Sequence, residues 1–326
     1  MNSVMKFTVT DYAGEFGCAP RSFDAVLSGQ AARIDLTELA PHSQFKPAKQ
    51  VAFTQSVLAD SRIDRWKTLI NAALENTNLI ESSQHAALLM VLPFVDAKFS
   101  EMQAQLIDSV IKILPAWTTH PNSHYYMLGS AGFYQALRQA DVLLSSGLEQ
   151  VVIGAVDSWA TEQGLLKFVS QYSDYSSVVL PASEGAIFVV LSRQALSPQT
   201  QGIEVLSCDM DAVIDRHAPN GLITLIADSV AKQAAPMQYL SLCHSGDERL
   251  DQVGHNTLSA VSGLFDANTQ FITPQVTQGD IGACYSLLHF LLNYHQYKQN
   301  IWQGTSLQID TSSLPYVGTA TYRWFD

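Results

Sequence analysis

Leu128-Gly129-Ser130-Ala131-Gly132-Phe133, with Tyr134–Gly147 behind it and Val151–Asp157 beyond, is the stretch on which the reading of this 326-residue chain turns. Small residues crowd a bend. Apolar positions at Phe133, Ala136, Leu137, Ala140, Leu143 and Leu144 then recur at the spacing of one helical face, and a valine-rich run follows. The pattern predicts a loop that opens directly into a buried helix and passes on to a strand. It places the Ser130 hydroxyl at a helix N-terminus, where bare amide donors and the positive end of the dipole suit a nucleophile that passes negative charge to a neighbouring oxygen. Serine is also a favoured helix cap, and on this stretch alone the structural reading of the position is the stronger one.

Working outward, a hydrophobic content of 47% allows a large core, in one big domain or two fused halves. The 18 Lys and Arg against 30 Asp and Glu leave a formal charge of −12, which argues against nucleic acid or an anionic membrane surface as the main partner. Cys18, Cys208, Cys243 and Cys284 show no paired or metal-ligand spacing and are expected to be reduced and mostly buried. Met1–Lys6 lacks an apolar signal core, and the longest greasy run, Ala86–Val95, is too short to cross a bilayer, so no membrane insertion and a cytoplasmic address are expected. No metal cluster, dinucleotide fingerprint or phosphate loop stands out, and no cofactor is expected.

Before the central stretch, Val4–Val9 reads as a strand, Pro20–Gly29 as a short helix, Gln30–Val51 as loop, Ile63–Leu79 as an amphipathic helix, Ala86–Phe94 as a strand buried on both faces, and Met102–Leu114 as a helix stopped by Pro115. His120 and His124 fall in a polar connection and read as loop surface. After it, Glu184–Leu191 is a turn and strand, and Ser197–Gly202 is the best linker. Ile203–Met210, Met237–His244, a short strand Phe271–Pro274, and the closing pair Ser306–Asp310 and Val317–Trp324 are read as strands. Leu222–Ala234 and Ile281–His295 are read as helices, and the element order roughly repeats that of the first half. The expected division is 1–193 and 194–326.

Three stretches together resemble the β-ketoacyl synthase family of the thiolase superfamily. Ser130-Ala131-Gly132-Phe133 with Leu144-Ser145-Ser146-Gly147 and Ile153–Asp157 resembles the family's nucleophile loop, central helix and following strand, with serine in place of the cysteine. Leu240–Asp247 resembles its first histidine motif, which makes His244 the matching histidine. Thr277–Ala283 resembles its second, with Gln278 at the lysine and Ala283 at the other histidine. The last glycine-rich loop, where the family has an oxyanion donor, is Pro315–Ala320, and Val317 or Gly318 is the matching backbone amide.

The resemblance implies a five-layer αβαβα fold of two pseudo-repeated halves, the first carrying the nucleophile loop and the second the histidine motif. It also implies a place in fatty-acid or polyketide assembly, with acyl carrier protein or acyl-CoA thioesters as partners. Two functions fit the altered site. One is acyl transfer or chain priming, with the acyl group on Ser130 and His244 as general base, because a serine hydroxyl needs a base for each attack. The other is a non-catalytic partner similar to the chain-length subunits of the superfamily, with the acyl path near Ser130 filled by Phe133 or Tyr285. Ala283 removes one enolate donor, a loss worth about 2.7–4 kcal/mol in a transition state, so decarboxylative condensation is expected to be severely impaired. Pairing as a homodimer, or as a heterodimer with a ketosynthase, is expected through the strand before Ser130, beside Tyr125 and Tyr126.

Overall fold

Ala87, Leu89 and Val91 enter one hydrophobic core, while Leu88, Met90 and Leu92 enter the core on the opposite face. A strand split this way needs a layer of side chains on each side of its sheet. The computed structural model describes residues 4–17, 34–35, 50–54, 58–75, 77–172, 180–193, 201–213, 220–231, 237–243, 248–272, 279–311 and 315–325. Among these the strands are β1 (Met5–Phe16), β2 (Ile34–Asp35), β3 (Gln50–Ala52), β4 (Ala87–Val91), β5 (His124–Tyr126), β6 (Gln150–Ser158), β7 (Ala182–Ser192), β8 (Gly202–Ala212), β9 (Met237–Cys243), β10 (Phe265–Ile272), β11 (Thr305–Asp310) and β12 (Tyr316–Phe325). The α-helices are α1 (Arg62–Leu74), α2 (Leu79–Ser82), α3 (Ser100–Ile113), α4 (Pro115–Thr118), α5 (Gly132–Ser145), α6 (Glu162–Tyr172), α7 (Asn220–Ala231), α8 (Glu248–Ala260) and α9 (Tyr285–Lys298).

The strands run β5-β4-β6-β7-β1 in one half and β10-β9-β11-β12-β8 in the other. Leaving aside the small β2–β3 pair and numbering strands within each half, both orders read 3-2-4-5-1. In both, the fifth strand is antiparallel to its two neighbours. The halves are therefore pseudo-repeats. They join where Met5–Phe7 of β1 pairs with Ile203–Val205 of β8. Helices α5 and α9 pack together between the two sheets. α1 covers the outer face of the first sheet with α3 beside it, and α7 covers the outer face of the second with α8 beside it, which completes five layers. The central core takes the predicted face of α5, Phe133, Ala136, Leu137, Ala140, Leu143 and Leu144, against Tyr285, Leu287, Leu288, Phe290 and Leu291 of α9.

Some boundaries differ from the sequence expectation for local reasons. α1 stops at Leu74 because the Thr77 amide and hydroxyl both turn back to the Leu74 carbonyl, and α2 begins as a separate turn. β1 runs on to Phe16 by changing partner, from β8 to β7, with an irregularity between Val9 and Asp11. His124 lies in strand β5, parallel to β4, rather than in a loop. A 3-10 turn, Gly282–Cys284, precedes α9. The predicted helix Pro20–Gly29 and residues 194–200, beside the expected 193/194 boundary, lie outside the described residues.

Candidate functional site

Gly129 has φ 63°, a left-handed conformation that suits glycine, and its amide donates to the Leu92 carbonyl at 3.1 Å. The chain then makes one 3-10 turn, Gly129–Ala131, and enters α5. Ser130 is completely buried in that turn. It is not the cap of the helix it precedes, since the N-cap residue of α5 is Ala131 and makes no side-chain cap. Instead the Ser130 oxygen accepts the backbone N–H of Ser286, in the first turn of α9, at 2.8 Å. The Ser130 hydroxyl donates to Ser286 Oγ at 3.0 Å, and Ser286 Oγ donates to Asp310 Oδ2 at 2.5 Å. The N-cap residue of α9, Cys284, offers no side-chain cap of its own, so Ser130 supplies one from the other half of the molecule.

One helical turn beyond Ser130, the ring of Tyr134 lies against Gly318. A Cβ at position 318 would sit 2.1 Å from Tyr134 Cδ2 and 2.3 Å from Cε2. The Tyr134 hydroxyl accepts from Gln308 Nε2 at 3.2 Å, and Gln308 Nε2 also donates to the Ser286 carbonyl at 2.9 Å. Gln308 Oε1 accepts from Tyr322 at 3.1 Å and from Asn293 at 3.4 Å. The space between α5, α9, β11 and β12 is thus occupied by a buried hydrogen-bonded network, of the kind that fixes a core when all its members are satisfied. Phe133 packs its ring against Phe290 and Tyr134, and the Tyr285 hydroxyl donates to the Gly279 carbonyl at 2.7 Å. Both residues named as fillers are buried here. Tyr134, which the sequence reading missed, is the side chain that reaches Gly318.

The other sequence candidates are distributed around this core. Val317 faces the outer core of the second half and pairs with Asp211. Gly318 lies within β12, paired with Asp310 on one side and Met210 on the other. Ala283 is buried in the 3-10 turn before α9, and its amide donates to Asp157 Oδ2 at 3.0 Å. His244 and Gln278 lie outside the described residues. Glu184 has a structural part: completely buried, it accepts from Arg65 Nε and Nη2 at 2.7 Å each, from Ser158 Oγ at 2.7 Å, and from the Thr54 amide at 2.6 Å. The described free thiols, Cys208 and Cys284, are both buried. Burial pushes Cys208 and Cys284 well up from the ordinary thiol range, and their Sγ atoms donate to the carbonyls of Tyr134 and Gly185. Among the described residues no group of His, Cys, Asp and Glu has the arrangement of a metal site, and no helix is long and apolar enough to cross a membrane.

No protein-family model matches the sequence, and no curated protein sequence matches it. Solved structures do match, over nearly the whole chain. The ishigamide ketosynthase/chain length factor superposes with a TM-score of 0.69 at 12% identity, over 98% of this chain and 100% of its own. A type II polyketide synthase ketosynthase in complex with its acyl-carrier protein superposes with a TM-score of 0.73 at 11% identity, over 98% and 100%. The 3-oxoacyl-(acyl carrier protein) synthase III of Pseudomonas aeruginosa PAO1 gives 0.53 at 16%, over 98% and 99%. At these identities the likeness is one of architecture, and it agrees with the repeated 3-2-4-5-1 sheets and the paired central helices. The chain has the fold of these ketosynthases.

Proposed function

We propose that this protein is a non-catalytic partner subunit of a ketosynthase in polyketide or fatty-acid assembly, comparable to a chain-length factor. The observation that carries the reading is the state of Ser130. A nucleophile needs a free lone pair aimed at a substrate and a base for its proton. Here the hydroxyl is completely buried, its oxygen accepts the Ser286 amide, and its proton is directed to Ser286 Oγ. Ala283 at the second histidine position and the Tyr134 ring against Gly318 support the same conclusion. The likeness to a ketosynthase/chain length factor and to a ketosynthase held in complex with its carrier protein supports the pathway and the partners: a ketosynthase, and through it an acyl carrier protein.

The competing reading is an acyl ester on Ser130, formed with His244 as base and with the Val317 or Gly318 amide as oxyanion donor. Intact-protein mass spectrometry after incubation with a panel of acyl-CoA and acyl-carrier thioesters separates the two. The partner-subunit reading expects no adduct. A stable acyl group mapped to Ser130 overturns it in favour of acyl transfer.

A further inference from the structure

We infer that the two halves are held together by a pair of reciprocal latches built on Asp157 and Asp310, and that Ser130 is the hydroxyl that completes the second. The stretches Gly129 to Asp157 and Gly282 to Asp310 run in step with no insertion. Each opens on a left-handed glycine, φ 63° at Gly129 and 55° at Gly282, which is the first of the 3 residues of a 3-10 turn, and an α-helix of 14 follows. Each helix is followed at the matching place by a second left-handed residue, Gly147 with φ 107° and Asn300 with φ 58°. Each then ends on a buried aspartate that lies opposite a glycine of the next strand, Asp157 opposite Gly185 and Asp310 opposite Gly318. Only three aligned pairs are identical: Gly129 with Gly282, Gln150 with Gln303, and Asp157 with Asp310.

The aspartates are thus related by the repeat, and both serve the turn that opens a central helix. Asp157 of the first half accepts the Ala283 amide at the start of α9. Asp310 of the second half reaches the turn before α5 by way of Ser286, whose hydroxyl bridges it to Ser130. The repeat places Ala283 where the first half has Ser130, and alanine has no oxygen to offer. The Ser130 cap on α9 is therefore an addition that the symmetry alone does not provide. With Asp157 on the Ala283 amide in the preceding turn and Ser130 on the Ser286 amide in the first turn of the helix, two backbone donors at the entry to α9 are met from the opposite half. The start of α9 then opens only with the seam between the halves.

Hydrogen exchange read by mass spectrometry on the full chain tests the latches. Ser130→Cys changes little volume but replaces a good acceptor with a poor one, and Asp157→Asn replaces a carboxylate with a weaker acceptor. Each is expected to speed exchange in peptides covering residues 282–290 by about ten-fold or more relative to peptides from α1 and α3 in the same molecule. Asp310→Asn is expected to do the same for peptides covering residues 128–136. Unchanged protection at the start of α9 in either of the first two variants overturns the inference. So does a uniform acceleration across the whole chain, which would show only a general loss of stability.

Discussion

The contact between Tyr134 and Gly318 can be tested by a double-mutant cycle whose outcome the geometry sets in advance. Gly318→Ala alone puts a methyl carbon 2.1 Å from Tyr134 Cδ2, well inside van der Waals contact. The strand is held on both sides at that residue, by Asp310 and Met210, so the ring rather than the backbone must give way. Overpacking of this kind costs about 1–3 kcal/mol, and the upper end applies because the Tyr134 hydroxyl is also tied to Gln308. Tyr134→Ala alone empties a large buried site and removes one partner of Gln308, for about 3–5 kcal/mol. In the double variant the new methyl enters the space the ring has left, so the Gly318→Ala cost disappears or becomes a small gain. A favourable coupling of about 2–3 kcal/mol follows, at the top of the range for residues in contact. Urea unfolding followed by circular dichroism measures all four corners. Costs that add to within about 0.5 kcal/mol would refute the claim that the ring fills the space over Gly318. Gly318 would then need another explanation, such as close approach of its backbone to a ligand.

Three further outcomes are expected. The double change Ser130→Cys with Ala283→His should restore no malonyl decarboxylation, because the imidazole would have to enter a buried turn whose amide is already held by Asp157; carbon dioxide release from a malonyl thioester, absent in the parent, would overturn this. Burial raises the Tyr126 phenol to about 12 and also pushes Tyr297 upward, while the unfolded chain ionises near the ordinary tyrosine value of about 10, so the stability these groups add is complete below pH 10 and is lost as pH rises toward 12. A thermal midpoint that stays flat through that window would contradict the assignment. At the edge of the first sheet, β5 pairs with β4 alone among the described strands, and sedimentation should show a dimer of this chain or a stable complex with a ketosynthase; a monomer at micromolar concentration that pairs with no ketosynthase refutes it.

The sequence showed those parts of the fold that depend on neighbours in the chain. The α5 face was legible because six apolar residues repeat at helical spacing, and β4 because every position in it is apolar. The duplication was visible only in the order of elements, for a physical reason. What the halves share is backbone conformation, a left-handed residue before and after each central helix and an aspartate at the end of the next strand, and only three side-chain pairs are kept along it. Such conformations constrain glycine and asparagine and leave most other positions free to diverge. The partners of Ser130 and Tyr134 lie much further off in the chain, and no local pattern carries them. A serine before a helix announces a cap, yet the helix it caps begins more than 150 residues later. One signal was available and points the other way from an oxyanion loop: a glycine inside the strand Tyr316–Phe325 marks close approach by another group, and here that group is the Tyr134 ring. The same logic bears on why serine stands at position 130. An oxygen is a much better acceptor than a sulfur for the Ser286 amide, and its hydroxyl extends the chain of donors to Asp310. A hydroxyl at this bend is therefore a weaker nucleophile but a better helix cap than a thiol would be, which is what the proposed partner-subunit function asks of the position.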